Sequence, residues 1–89
     1  MEPEKGDLIP FPTEFTIRVI GRNGNDFEPM VVSLLQKHTG EIASSAVRAR
    51  QSRDGNYLSV IVTFWAENKN QLDMIYQELS DNQYVLMAL

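Results

Sequence analysis

Residues 45–65 read SAVRARQSRDGNYLSVIVTFW, and the Asp54-Gly55 pair in their middle is the feature from which the fold follows. An Asp-Gly pair between two strand-like runs signals a hairpin, because the glycine accepts a backbone conformation that other residues resist. Ser45 to Gln51 is the weaker run, and Tyr57 to Trp65, dense in β-branched and aromatic residues, is the stronger. Centring the hairpin on Asp54-Gly55 sets Arg53 opposite Asn56, Arg50 opposite Ser59 and Arg48 opposite Ile61. Opposed residues share a face, so Arg48, Arg50, Ser59, Ile61 and Thr63 point one way. Val47, Ala49, Leu58, Val60, Val62 and Phe64 point the other way, and this continuously apolar set is the core side.

Reading outward, Glu14 to Ile20 alternates in the same manner. Phe15, Ile17 and Val19 belong to the core side, and Thr16, Arg18 and Ile20 to the opposite one. Gly21 to Asn25 is a turn-rich loop in which Gly21 and Gly24 are free to take positive φ. Asn25 or Asp26 is placed to cap a helix with Pro29 in its first turn. Phe27, Val31, Leu34, Leu35 and His38 share a face of that helix, and Gly40 is its expected stop. Asn68 or Asn70 caps a second helix, whose Leu72, Ile75, Tyr76 and Leu79 recur at helical spacing until Asp81-Asn82. Gln83 to Leu89 is a last strand, expected to add Tyr84, Leu86 and Ala88 to the side away from the core. The order β-α-β-β-α-β predicts a ferredoxin-like α+β sandwich. Its antiparallel sheet has strand order 4-1-3-2, and both helices lie on one face. Residues 1–13 hold three of the four prolines and form an extended N-terminal arm ahead of a single domain at 14–89. Pro10 and Pro12 bias Ile9 and Phe11 toward extended backbone. The arm is thereby delivered already extended into the first strand.

Composition narrows the functions. Eighty-nine residues hold one core, and 43% apolar content is that of a globular domain. The chain has no cysteine, which excludes disulfides, thiolate metal sites and cysteine nucleophiles. A net charge of −4 opposes general attraction to nucleic acid or anionic lipid. No apolar run approaches the ~18 residues of a membrane span. The polar, acidic start is unlike a signal peptide, so a cytoplasmic location is expected.

"FPTEFTIRVIG" at 11–21, "DGNYLSV" at 54–60 and the ending "VLMAL" at 85–89 resemble the YbeD-like family of small bacterial proteins, across about residues 8 to 89. That family is similar in fold to the ACT regulatory domain, a βαββαβ module that binds small effectors such as amino acids. The resemblance implies the fold and leaves the activity open. Family strands resembling the last one often carry a basic residue where this chain has Leu86, which implies a more apolar open face here.

Three constellations bear on function. His38 is the only histidine and has no evident partner for acid–base work, so a helix-end role beside the last carbonyls is expected, with no enzyme activity, metal or cofactor. The loop Gly21, Arg22, Asn23, Gly24, Asn25 and Asp26 precedes a helix N-terminus. In ACT domains the corresponding region contributes to effector binding, and Arg22 supplies a cation for an anionic effector. A plain tight turn accounts for the same residues, and Asp26 and Glu28 already serve the helix dipole. The side of the sheet without helices gathers Arg18, Ile20, Arg48, Arg50, Ile61, Trp65, Tyr84 and Leu86, a surface suited to a homodimer or another protein partner. Folding the "LIPF" of the arm over that face or an edge is the alternative. The glycine-aromatic patterns of RNA-recognition modules are missing, which argues against nucleic acid. The expected function is a non-enzymatic regulatory or adaptor protein, with an effector-binding sensor as the alternative.

Overall fold

A computed structural model describes residues 10–24 and 26–89. Four strands and two α-helices follow one another as β1 (Thr13–Arg22), α1 (Phe27–Thr39), β2 (Val47–Gln51), β3 (Tyr57–Ala66), α2 (Lys69–Asp81) and β4 (Val85–Ala88), with a short 3₁₀ turn at Ser44–Ala46. The sheet order is β2-β3-β1-β4, all antiparallel, which is the ferredoxin-like arrangement. The hairpin register is the one that the Asp54-Gly55 centre dictates: Arg48 faces Ile61 and Arg50 faces Ser59. Gly55 has φ 79°, and its N–H reaches the Ser52 carbonyl at 3.0 Å. Asp54 completes the turn, accepting from the Ser52 hydroxyl at 2.7 Å and the Asn56 N–H at 3.0 Å. These bonds to the charged form hold the Asp54 carboxyl below the usual range.

The core lies between the helices and one sheet face. Ile17 and Val19 of β1, Val60 and Val62 of β3, Val31 and Leu35 of α1, and Ile75 and Leu79 of α2 are all fully buried. This is the alternate-residue set of each strand meeting the helical stripes, as the two periodicities require. Phe15 and Phe64 face each other across β1 and β3, with ring centroids 5.9 Å apart. Ala49 shares the core face of the edge strand β2 but is exposed. Phe11 packs against the core. The arm residues before Pro10, including the Leu8 and Ile9 read as docking on the domain, lie outside the described residues.

The helix ends show how each helix is placed. Gly40 ends α1 with φ 82°, donating to the Gln36 carbonyl. Asn68, not Asn70, caps α2, accepting from the Gln71 N–H at 2.8 Å. The Gln71 amide in turn donates to the His38 carbonyl at 2.8 Å, tying the start of α2 to the end of α1. Asp26 stands at the N-cap of α1 without a side-chain capping bond.

Candidate functional site

Two surfaces remain once the core is assigned: the open sheet face, and a cavity where β1 meets α1 and the start of β4. The open face follows from strand parity. Thr16, Arg18 and Ile20 of β1 stand opposite Thr63, Ile61 and Ser59 of β3, and Arg48 and Arg50 of β2 continue two of those rows. Glu14 faces Trp65 at the far end. The Thr16 and Thr63 hydroxyls are 2.9 Å apart, a cross-strand hydrogen bond that knits the middle of the face.

The β4 contribution differs from expectation. Pairing shifts between Ile20 and Gly21, so Met87 stands opposite Ile20, and Ala88 opposite Val19. Backbone bonds of 3.0 and 2.8 Å between Arg18 and Leu89 continue this register. Ala88 therefore packs toward the core, and the residues that β4 and the C-terminus present beside Ile20 and Arg18 are Met87 and Leu89, 51% and 60% exposed. The extra β4 residue at the irregularity inverts the inside–outside alternation that a regular strand would keep. Leu86 lies at this irregularity and, with Tyr84, lines the cavity. Of the eight residues grouped in advance, Arg18, Ile20, Arg48, Arg50, Ile61 and Trp65 share the open face by strand register. Tyr84 and Leu86, on either side of the inward Val85, are exposed at the cavity end of the sheet beside Arg22.

The cavity, about 650 Å³, is lined by Arg22, Gly24, Asp26, Phe27, Met30, Gln83, Tyr84 and Leu86. Three of the loop residues read as ligand contacts reach it, and two others have structural duties. Gly21 is the penultimate residue of β1. A Cβ there would stand 2.3 Å from the Phe27 ring and 2.6 Å from the Tyr84 carbonyl oxygen. Its glycine is a packing requirement, and neither it nor Gly24 has positive φ. Asn23 turns to the β2–β3 hairpin, donating from its amide to the Gly55 carbonyl and from its N–H to the Asn56 carbonyl, both at 2.9 Å. Asn25 lies outside the described residues. Around Gly24 nothing comes within 4 Å of an added Cβ, so its backbone is open to the cavity. Phe27, Met30 and Gln83 were not singled out from sequence. Phe27 read as part of the core face of the first helix, and nothing local to Met30 or Gln83 marks either as a neighbour of Arg22.

His38 does not serve the helix-end carbonyls. Its Nε2 is 2.8 Å from Glu78 Oε1, and Lys37 pairs with the other oxygen of the same carboxylate. The Lys37 hydrogen bond, then that of His38, holds the Glu78 carboxyl below the usual range. This cluster joins the two helices on the side away from the open face. Among the described residues no group of three His, Asp or Glu side chains is placed to hold a metal ion.

Residues 6–89 match the family model described as "Protein of unknown function (DUF493)". The chain belongs to this family. UPF0250 proteins are among its relatives. That of Paraburkholderia phymatum is 35% identical over 89 residues, covering the whole of both chains. That of Azotobacter vinelandii is 40% identical over 82 residues, 91% of this chain and 89% of its own. In structure, the chain is similar to protein HP0495 from H. pylori, with TM-score 0.73, 19% identity, and coverage of 99% of this chain and 88% of that one. It is also similar to the ACT domain from the GTP pyrophosphokinase of Chlorobium tepidum, with TM-score 0.64, 18% identity, and coverage of 85% and 84%. The ACT-like fold expected from the sequence resemblance is therefore shown. No helix among the described residues is long and apolar enough to cross a membrane.

Proposed function

We propose that this member of the DUF493 family is a non-enzymatic adaptor or regulatory protein that acts by contact through its open sheet face. The observation that carries this reading is the content of that face. Trp65, Met87 and Leu89 are each more than half exposed, on the same face as Ile20 and Ile61. The side chains of Arg18, Arg48 and Arg50 have no hydrogen-bond or ion-pair partner among the described residues. Exposed apolar side chains interleaved with arginine are the composition of contact surfaces, since arginine and large side chains are enriched where proteins meet. The engagement of the only histidine between the helices supports a non-catalytic role. A photo-crosslinking residue placed at Thr63, on the open face, is expected to give discrete adducts in cells, and one at Gln77, on exposed α2, none. Equal labelling from both positions would remove the support for this face.

The cavity favours a second reading, a sensor for a small effector. Arg22 offers a cation and Asp26 an anion that is not spent on capping, a combination suited to a ligand carrying a carboxylate and an ammonium group. A thermal-shift panel of amino acids and other small carboxylates tests it. A stabilising ligand should lose its effect in Arg22→Ala, with the ligand-free melt unchanged. A flat response across the panel would sink this reading.

A further inference from the structure

The chain carries a net charge of −4, yet its charges are segregated. On the open face Arg18, Arg48 and Arg50 cluster around Ile61, away from Glu14. Glu14 stands opposite Trp65 at the far end, where Glu41 and Glu67 line a hollow with Thr63 and Trp65. The acidic residues of the helices, Glu28, Asp73, Glu78 and Asp81, lie on the other layer. We infer that the open face binds an acidic, partly apolar polypeptide segment of another protein, an inference that rests on reading this face as a contact surface.

Charge complementarity chooses the occupant. A symmetric contact between two copies centred on Ile61 would bring the flanking Arg18 and Arg48 of one copy against those of the other as water is excluded, a like-charge repulsion that opposes it. The spacing also disfavours one small anion. Arg48 and Arg50 are two residues apart on β2, about 7 Å, and Arg18 and Arg48 are separated by the width of β3, about 10 Å between backbones. A partner that satisfies all three carries several carboxylates along its length. Nucleic acid would also supply repeated anions, but it would need neighbouring rings on which to stack successive bases. The two aromatic residues of β3 on this face, Tyr57 and Trp65, are eight residues apart, about 27 Å along the strand. Between them stand Ser59, Ile61 and Thr63, which suit side chains rather than bases. Ile61, flanked by Arg18 and Arg48, provides the apolar centre, and arginines around it give an acidic partner its orientation.

The test uses the full chain and a short synthetic peptide of mixed glutamate, phenylalanine and leucine, with a uridine oligonucleotide of similar length as competitor. Trp65, the sole tryptophan and on the face itself, reports binding by its fluorescence. The peptide is expected to bind, more weakly as salt is raised. Arg48→Glu with Arg50→Glu should cost at least about tenfold in affinity while the folded circular dichroism spectrum is kept. Should that pair impair folding, Arg48→Gln with Arg50→Gln is expected to give a smaller loss in the same direction. Tighter binding of the oligonucleotide than of the peptide overturns the inference in favour of nucleic acid. A wild-type dimer that survives both arginine changes and is lost with Ile61→Lys also overturns it, but leaves the contact-surface reading standing. Peptide binding unchanged in both arginine variants and in Ile61→Lys, or no peptide binding together with a strictly monomeric chain, overturns both.

Discussion

On β3, Leu58, Val60, Val62 and Phe64 are buried under two helices, while Tyr57, Ser59, Ile61, Thr63 and Trp65 alternate with them and face the other way. The same holds on β1, where Ile17 and Val19 are fully buried and Arg18 between them is exposed. The two faces differ in what they do for the molecule. One carries the apolar burial that holds the fold, each buried aliphatic side chain contributing about 1.5–3 kcal/mol. The other carries almost none of it, and its residues are free to be selected for contact. The buried and the exposed face are thereby separated by one residue of register.

The sharpest way to break the comparison is to place the same charge on each face. Val60→Asp should unfold the domain, a loss of about 4 kcal/mol or more, because it buries an unpaired carboxylate. Ser59→Asp, its neighbour, should stay within about 1 kcal/mol of the parent in denaturant melts, with Arg50 opposite it. Similar losses at both positions would show that the faces are not distinct.

A smaller effect is expected at the junction where the two surfaces meet. Gly21→Ala should cost about 1–3 kcal/mol, since the new methyl meets the Phe27 ring and the Tyr84 carbonyl, and backbone cannot yield cheaply. Gly24→Ala, with open space around it, should leave the melting temperature nearly unchanged. Equal tolerance at both would contradict the close packing of β1 on α1.

The helical layer can be probed more gently. Asn68→Ala should lower stability by about 1 kcal/mol by freeing the Gln71 N–H, read as a shift in denaturation midpoint. Glu78 gives the smallest expected effect. Its folded carboxyl lies below the ordinary value, so its contribution is complete above that ordinary value and is lost as pH falls through the lower, folded one. Glu78→Gln should therefore lose about 0.5 kcal/mol or less near neutral pH, and nothing relative to the parent in acid below the usual carboxylate range. A difference that persists unchanged into acid would mean that the Lys37 and His38 contacts do not act through charge.

The two candidate sites were legible to different degrees, for a physical reason. The open face at β2 and β3 could be read directly, because strand alternation and an Asp-Gly turn are local properties of the backbone, and the observed pairs Arg48–Ile61 and Arg50–Ser59 follow from them. The helical stripes of Val31, Leu34 and Leu35 and of Leu72, Ile75 and Leu79 were equally plain, since each depends only on spacing along its own helix. The last strand was not. "YVLMAL" has no alternation to read, and the shift opposite Ile20 and Gly21 depends on a pairing between residues more than sixty positions apart in the chain. That shift alone sends Ala88 inward and Met87 outward.

The amino-acid sequence by itself determined the order of elements, the ferredoxin-like topology and which side of β3 is core. Each of these is settled by periodicities and turns that short stretches of chain impose on themselves. Only the tertiary structure decided why residue 21 must be glycine, that Asn23 serves the distant hairpin, that Glu78 is the partner of His38, and that Met87 and Leu89 complete the open face. These are contacts between segments remote in sequence, and their residues carry no local mark of the neighbour that the packed sheet and helices bring to them.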